Sequence, residues 1–182
     1  MQNNKPLLAP PRNTEQDLFN IEAFKRDADP LIEKAYDFIE EENYQKAFEL
    51  FAFAASIDNE NTEILNGLGI TLCEMGRLTE SLKILERAMR IDDKDPVTFA
   101  NIAGVYWELE DYERALYYYQ RAIDIDPYIE EAHYNIVNLY IDMNALYAAL
   151  IRCTEFCAKF PKDPEGPELL SNIMLNLAIS LY

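Results

Sequence analysis

The stretch PVTFANIAGVYWELEDYERALYYYQRAIDIDP, Pro96 to Pro127, holds every signal needed for two helices joined by a tight turn. Small residues fall at Ala103, Ala115 and Ala122, and large apolar ones at Phe99, Ile102, Tyr106, Leu116 and Tyr119, at helical spacing. The polar pair Glu110 and Asp111 separates the two periodic runs. Two antiparallel helices touching through alanines satisfy this pattern.

Working outward, the chain from Ala28 can be laid over itself at a shift of 34 residues, too long for a heptad and right for a helix pair. Phe38, Leu72, Tyr106 and Tyr140 form a large column; Ala35, Gly69, Ala103 and Val137 a small one; Ala47, Ser81, Ala115 and Ala149 another. Phe51, Leu85, Tyr119 and Cys153 make a fourth column, and Ala54, Ala88 and Ala122 a fifth that breaks at Phe156. Each copy ends at a residue that stops or restarts a helix: Asn59, Asp93, Pro127 and Pro161. The register predicts helices over 29–41 and 45–57, 62–74 and 78–91, 96–109 and 112–125, and 130–143 and 146–159. Bulky columns need small partners where backbones approach, so each Ala or Gly column should face a Phe, Tyr or Leu column.

These columns resemble the tetratricopeptide repeat (TPR) family, with four copies over 28–61, 62–95, 96–129 and 130–163. The copy at 96–129 matches best, from Phe99, Ile102, Ala103 and Tyr106 to Ala115, Tyr119, Ala122 and Pro127. Lys34, Cys153 and Phe156 depart from the pattern in the outer copies. The resemblance implies an all-α fold, a right-handed superhelical solenoid of antiparallel helix pairs closed by a C-terminal capping helix over 164–182. Ahead of it, Pro6, Pro10 and Pro11 suit a mobile tail over 1–13, and Thr14, Asp17, Leu18, Ile21 and Phe24 suit a short leading helix over 14–27.

The closing stretch PEGPELLSNIMLNLAISLY is unusually apolar for a cap. Leu170, Ile173, Met174, Leu177 and Leu181 form one face that can cover the fourth repeat, while Leu175, Ile179 and Tyr182 recur on another. A cap normally turns a polar face to water. The second stripe therefore either wraps back onto the last repeat or meets a partner, with a homodimer through this helix as one form of that contact.

At 182 residues and 49% hydrophobic, the chain is long enough for one domain with a substantial core. A formal net charge of −17 argues against nucleic acid and anionic membrane as partners. Cys73, Cys153 and Cys157 do not make a disulfide framework, no stretch reaches membrane-span length, and no signal peptide is visible, so a cytoplasmic location is expected.

Residues for catalysis are scarce, and neither an enzyme nor a cofactor or metal is expected. His133 shares a column with Leu31, Leu65 and Phe99, which makes it a packing residue before it is a catalyst. Cys153 and Cys157 lack further ligands at metal spacing and read as core. Gly67 and Gly69 lie inside a helix, without the strand and loop of a phosphate cradle.

In the family this chain resembles, the first helix of each pair lines a ligand-binding groove between the packing columns. Carried over residue by residue, this gives Ile32, Tyr36 and Ile39, then Glu63, Asn66, Ile70 and Glu74. The third copy adds Ala100, Asn101, Gly104, Trp107 and Glu108, and the fourth Glu131, Tyr134, Asn135, Asn138, Ile141 and Asp142. None is Lys or Arg, so the cationic clamp with which some family members hold Hsp70 and Hsp90 tails is missing. The resemblance thus implies an adaptor or scaffold that binds an extended basic or apolar segment. Asn101 and Asn135 would hold ligand backbone, with Trp107 and Tyr134 as anchors. A second reading is a small acidic chaperone similar to those of type III secretion translocators; an enzyme is remote.

Overall fold

The computed structural model describes residues 28–180. The expected tail over 1–13, the leading helix over 14–27, and Leu181 and Tyr182 lie outside the described residues. Those that are described form nine α-helices: α1 (Asp29–Glu40), α2 (Tyr44–Ile57), α3 (Thr62–Glu74), α4 (Leu78–Ile91), α5 (Pro96–Glu108), α6 (Tyr112–Ile125), α7 (Glu130–Asp142), α8 (Leu146–Lys159) and α9 (Gly166–Ser180). The fold is all-α, of the TPR-like helical-repeat class.

The chain divides into two compact units between Asp93 and Lys94. Helix pairs contact chiefly their neighbours, so no one centre gathers every element. The first unit contains α1 to α4, and the second α5 to α9.

Each first helix ends in the same way, and the turn that follows is set by the backbone. Glu42, Gly76, Glu110 and Asn144 sit at the 34-residue spacing, all in the left-handed region with φ of 56°, 70°, 57° and 54°. Around each, two hydrogen bonds close the helix: Glu110 N–H donates to the Trp107 carbonyl at 2.8 Å and Asp111 N–H to the Tyr106 carbonyl at 2.9 Å. The pairs at Glu42 and Asn43, Gly76 and Arg77, and Asn144 and Ala145 repeat this Schellman pattern. Asn43 and Asp111 then cap α2 and α6 by accepting from the Lys46 and Arg114 backbone N–H groups. At the starts of first helices, Asn61 caps α3 and Asp95 caps α5.

Packing within pairs follows the columns. In the first unit, Phe51 is fully buried, and a Cβ at Gly67 would overlap its ring. A Cβ at Gly69 would lie 2.5 Å from Leu85 Cδ2, so the small column does face the large one on the pair's second helix. Ser81 Oγ, buried in the small column of α4, donates to the Gly69 carbonyl at 2.6 Å. In the second unit Tyr119 is 1% exposed, while Tyr118 stacks on Tyr106 at 5.4 Å between centroids and Tyr117 stays outside at 59%. In each unit a cation lies over an aromatic member of the large column: Lys46 is 4.9 Å from the Phe38 ring centroid and Arg114 4.3 Å from that of Tyr106.

The closing helix α9 shares a core with α7 and α8 in which Ile173 and Leu177 pack with Val137, Cys153 and Phe156. Met174, expected on the covering face, is instead 57% exposed, and Leu170 is only half-buried. Leu175 and Ile179 are 59% and 65% exposed, so neither wraps back onto the last repeat.

Candidate functional site

Helices α3, α5, α7 and α9 contain no Lys or Arg, and α1 contains only Lys34. The cations sit largely on second helices, as Lys46, Lys83, Arg87, Arg90, Arg114, Arg121, Arg152 and Lys159. The last residue of each first helix in the four repeats is acidic: Glu40, Glu74, Glu108 and Asp142, one column at the repeat spacing. All four are exposed. A helix C-terminus carries a partial negative charge, so an acidic side chain there costs about 0.3–1 kcal/mol where a cation would stabilise. No last turn of α1, α3, α5, α7 or α9 holds a basic residue. The local preference of the helix is thus violated at the same position in all four copies.

In the second unit the exposed face of α5 and α7 is organised by one hydrogen bond, from Trp107 Nε1 to Asp142 Oδ2 at 2.8 Å. It fixes the indole, half-buried, beside Asp142, and leaves the other carboxylate oxygen of Asp142 able to accept. Glu108 stands beside Trp107 on α5, exposed. Gly104 leaves a hollow one turn earlier, since the nearest atom to a Cβ built there would be Tyr119 Oη at 3.8 Å. Asn135 and Asn138 are half-buried on α7. The Asn101 side chain is also half-buried, but its Nδ2 is enclosed and has no hydrogen-bond partner among the described residues. Such a donor costs about 1–3 kcal/mol, which rotation toward an acceptor would recover.

Several expected groove residues are engaged elsewhere. Ile32, Asn66 and Ala100 are each only 4% exposed, because the first helices pack on more sides than a single stripe. Tyr134, expected as an anchor, meets the Phe156 ring edge-to-face at 5.7 Å between centroids, with Asn138 and Glu165 near its hydroxyl. Burial raises its pKa. In the first unit, Tyr36 packs edge-on to Phe51 at 5.2 Å, with its pKa raised by burial and then by Glu63. Ile70 is half-buried, and the Tyr44 pKa is raised by desolvation and then by the neighbouring Glu74 carboxylate.

Cys153 and His133 are engaged in packing. Cys153 is fully buried, and burial, followed by neighbouring Cys157, pushes its thiol up to about 12, far from a reactive thiolate. His133 packs against Phe160 at 5.5 Å, its Nε2 lies 3.0 Å from the Pro127 carbonyl oxygen, and burial lowers its pKa. No group of three His, Cys, Asp or Glu side chains among the described residues is placed to hold a metal, and no described helix is long and apolar enough to cross a membrane.

Residues 60–127 match the tetratricopeptide repeat family. Anaphase-promoting complex subunit 3 of Schizosaccharomyces pombe is 25% identical over 150 residues, which cover 80% of this chain and 23% of that protein. The chain spans about a fifth of the length of the curated relatives it matches. Among solved structures, the anaphase-promoting complex hetero-tetramer Cut9–Hcn1 superposes with a TM-score of 0.69 at 17% identity, over 80% of this chain and 29% of that one. The first TPR domain of Spaghetti (RPAP3), bound to the HSP90 peptide SRMEEVD, does so with a TM-score of 0.58 at 14% identity, over 66% of this chain and 95% of that one. The repeat columns, the Schellman turns at one spacing and the match over 60–127 together show that this chain carries tetratricopeptide repeats.

Proposed function

We propose that this protein is a non-catalytic interaction module that binds an extended segment of another protein on the α5 and α7 face, with Lys or Arg of that segment at Glu108 and Asp142. The carrying observation is the acidic row: carboxylates held against the helix dipole at the end of every first helix of the repeats, on helices that supply almost no cation. A cationic ligand relieves that repulsion, and Trp107, fixed by Asp142, offers an apolar surface beside it. Asn101 and Asn135 lie one repeat apart and can hydrogen-bond ligand backbone. The HSP90 peptide held by the RPAP3 domain is rich in acid, and this face has no Lys or Arg to receive it. Its relative in the anaphase-promoting complex is by name a subunit of an assembly, which accords with a scaffold role.

Trp107 is the sole tryptophan, so its fluorescence reports on the face directly. Capture from the native cell followed by peptide mapping should yield a segment bearing Lys or Arg. Its affinity should fall about tenfold, and its salt dependence should flatten, in the double variant Glu108→Gln with Asp142→Asn. Asparagine at 142 retains an acceptor for the Trp107 indole, so the change tests charge alone. An acidic mapped segment, or unaltered affinity, would place the binding site elsewhere.

A further inference from the structure

The exposed side of α9 continues the same columns. Leu68, Ile102 and Ile136 form a buried column at 3%, 1% and 4% exposure, and a step of 37 residues, three longer than the repeat, brings it to Ile173 at 1%. The same step takes Tyr140 to Leu177, also buried. So α9 stands in the register of a first helix, with the three additional residues taken up between α8 and α9. By that register Asn101 and Asn135 continue to Asn172, Asn138 to Leu175, and the acidic row Glu108 and Asp142 to Ile179. The row that is acidic in all four repeats becomes apolar at α9.

Charge separates this helix end from its surroundings. The chain carries a formal net charge of −17, yet no Asp, Glu, Lys or Arg occurs from Ser171 to Ser180. Exposed Leu175 and Ile179 are one turn apart on the continued face, and the core of α7, α8 and α9 holds them in place through Ile173 and Leu177. An apolar side chain can therefore be buried there without desolvating a charged group of α9.

We propose that α9 supplies an apolar subsite to the partner segment, whose Leu, Ile or Phe seats on Leu175 and Ile179 while its Lys or Arg meets Asp142. This rests on the reading of α5 and α7 as the binding face. Adjacent packed helices lie about 9 Å apart and an extended chain advances about 3.3 Å per residue, so the apolar residue stands about three positions from the basic one. The occupant is a segment with basic and apolar residues at that spacing.

The test is selection of a phage-displayed random decamer library on the 182-residue chain and on the variant Leu175→Glu with Ile179→Glu, with circular dichroism and sedimentation run on both. The wild-type chain should enrich Lys or Arg with Leu, Ile or Phe three positions away. The variant should keep its helicity and the basic enrichment but lose the apolar one, with at least a tenfold drop in affinity for the selected peptides. For a variant that loses helicity, Leu175→Ala with Ile179→Ala replaces it, and the same loss of apolar enrichment is required. Basic enrichment without an apolar residue at that spacing, or apolar enrichment that survives the substitutions, overturns the α9 subsite and leaves the α5 and α7 face standing. No basic enrichment on the wild-type chain overturns both. A wild-type dimer that the α9 substitutions convert to monomer assigns the face to a second copy and likewise overturns the subsite.

Discussion

At the scale of single residues, glycines that look alike in sequence do opposite things. Gly67 lies under the fully buried Phe51 ring, which has nowhere to move, so Gly67→Ala should destabilise by about 1–3 kcal/mol in urea unfolding. At Gly104 an added Cβ would meet only Tyr119 Oη, at an ordinary contact distance of 3.8 Å, and Gly104→Ala should stabilise by about 0.5–1 kcal/mol through helix propensity. If both changes shift the unfolding midpoint in the same direction, the packing account at these two positions is wrong. Gly69 was legible as a member of the small column opposite Leu85. Gly67 was not, because it falls between columns and its need for smallness comes from a ring in the preceding helix pair. Tyr134 shows the same limit: the family resemblance names it as an anchor, and its contact with Phe156 on the next helix could not be read from the sequence.

At the scale of elements, the turn between the two helices of a pair demands a left-handed residue, and only Gly76 among the four supplies one without strain. A non-glycine residue in that conformation costs about 1–2 kcal/mol, partly offset by the greater unfolded-state entropy of glycine. Glu110→Gly should accordingly raise stability by about 0.5–1 kcal/mol, and Gly76→Ala should lower it by a similar amount. Paired urea midpoints measure both, and a destabilising Glu110→Gly would show that the Glu110 side chain contributes more than the backbone loses. Glu110 and Asp111 were readable as a break between helices; which residue takes positive φ followed only from the hydrogen bonds to Trp107 and Tyr106. The helix assignments were legible for a plain reason. Periodic apolar residues, Asn and Asp caps and proline at Pro96 agree with one another over whole repeats.

At the scale of the whole molecule, a formal net charge of −17 means that the folded chain works against its own repulsion. Salt screens that repulsion, so the melting temperature should rise by about 2–5 °C between ~10 mM and ~300 mM sodium chloride. A fall over that range would mean that ion pairs such as Arg77 with Glu80 and Arg152 with Glu155 outweigh the net charge. The sequence by itself determined the helix pairs, their period, the columns that pack and the absence of Lys and Arg from the face of α5 and α7, because these depend on local periodicity and composition. Only the tertiary structure decided which polar groups on that face are spent on neighbours, as with Trp107 on Asp142, and which apolar residues of α9 stay outside. Those outcomes depend on side chains from helices distant in sequence meeting in space, and a single helical wheel carries no record of them.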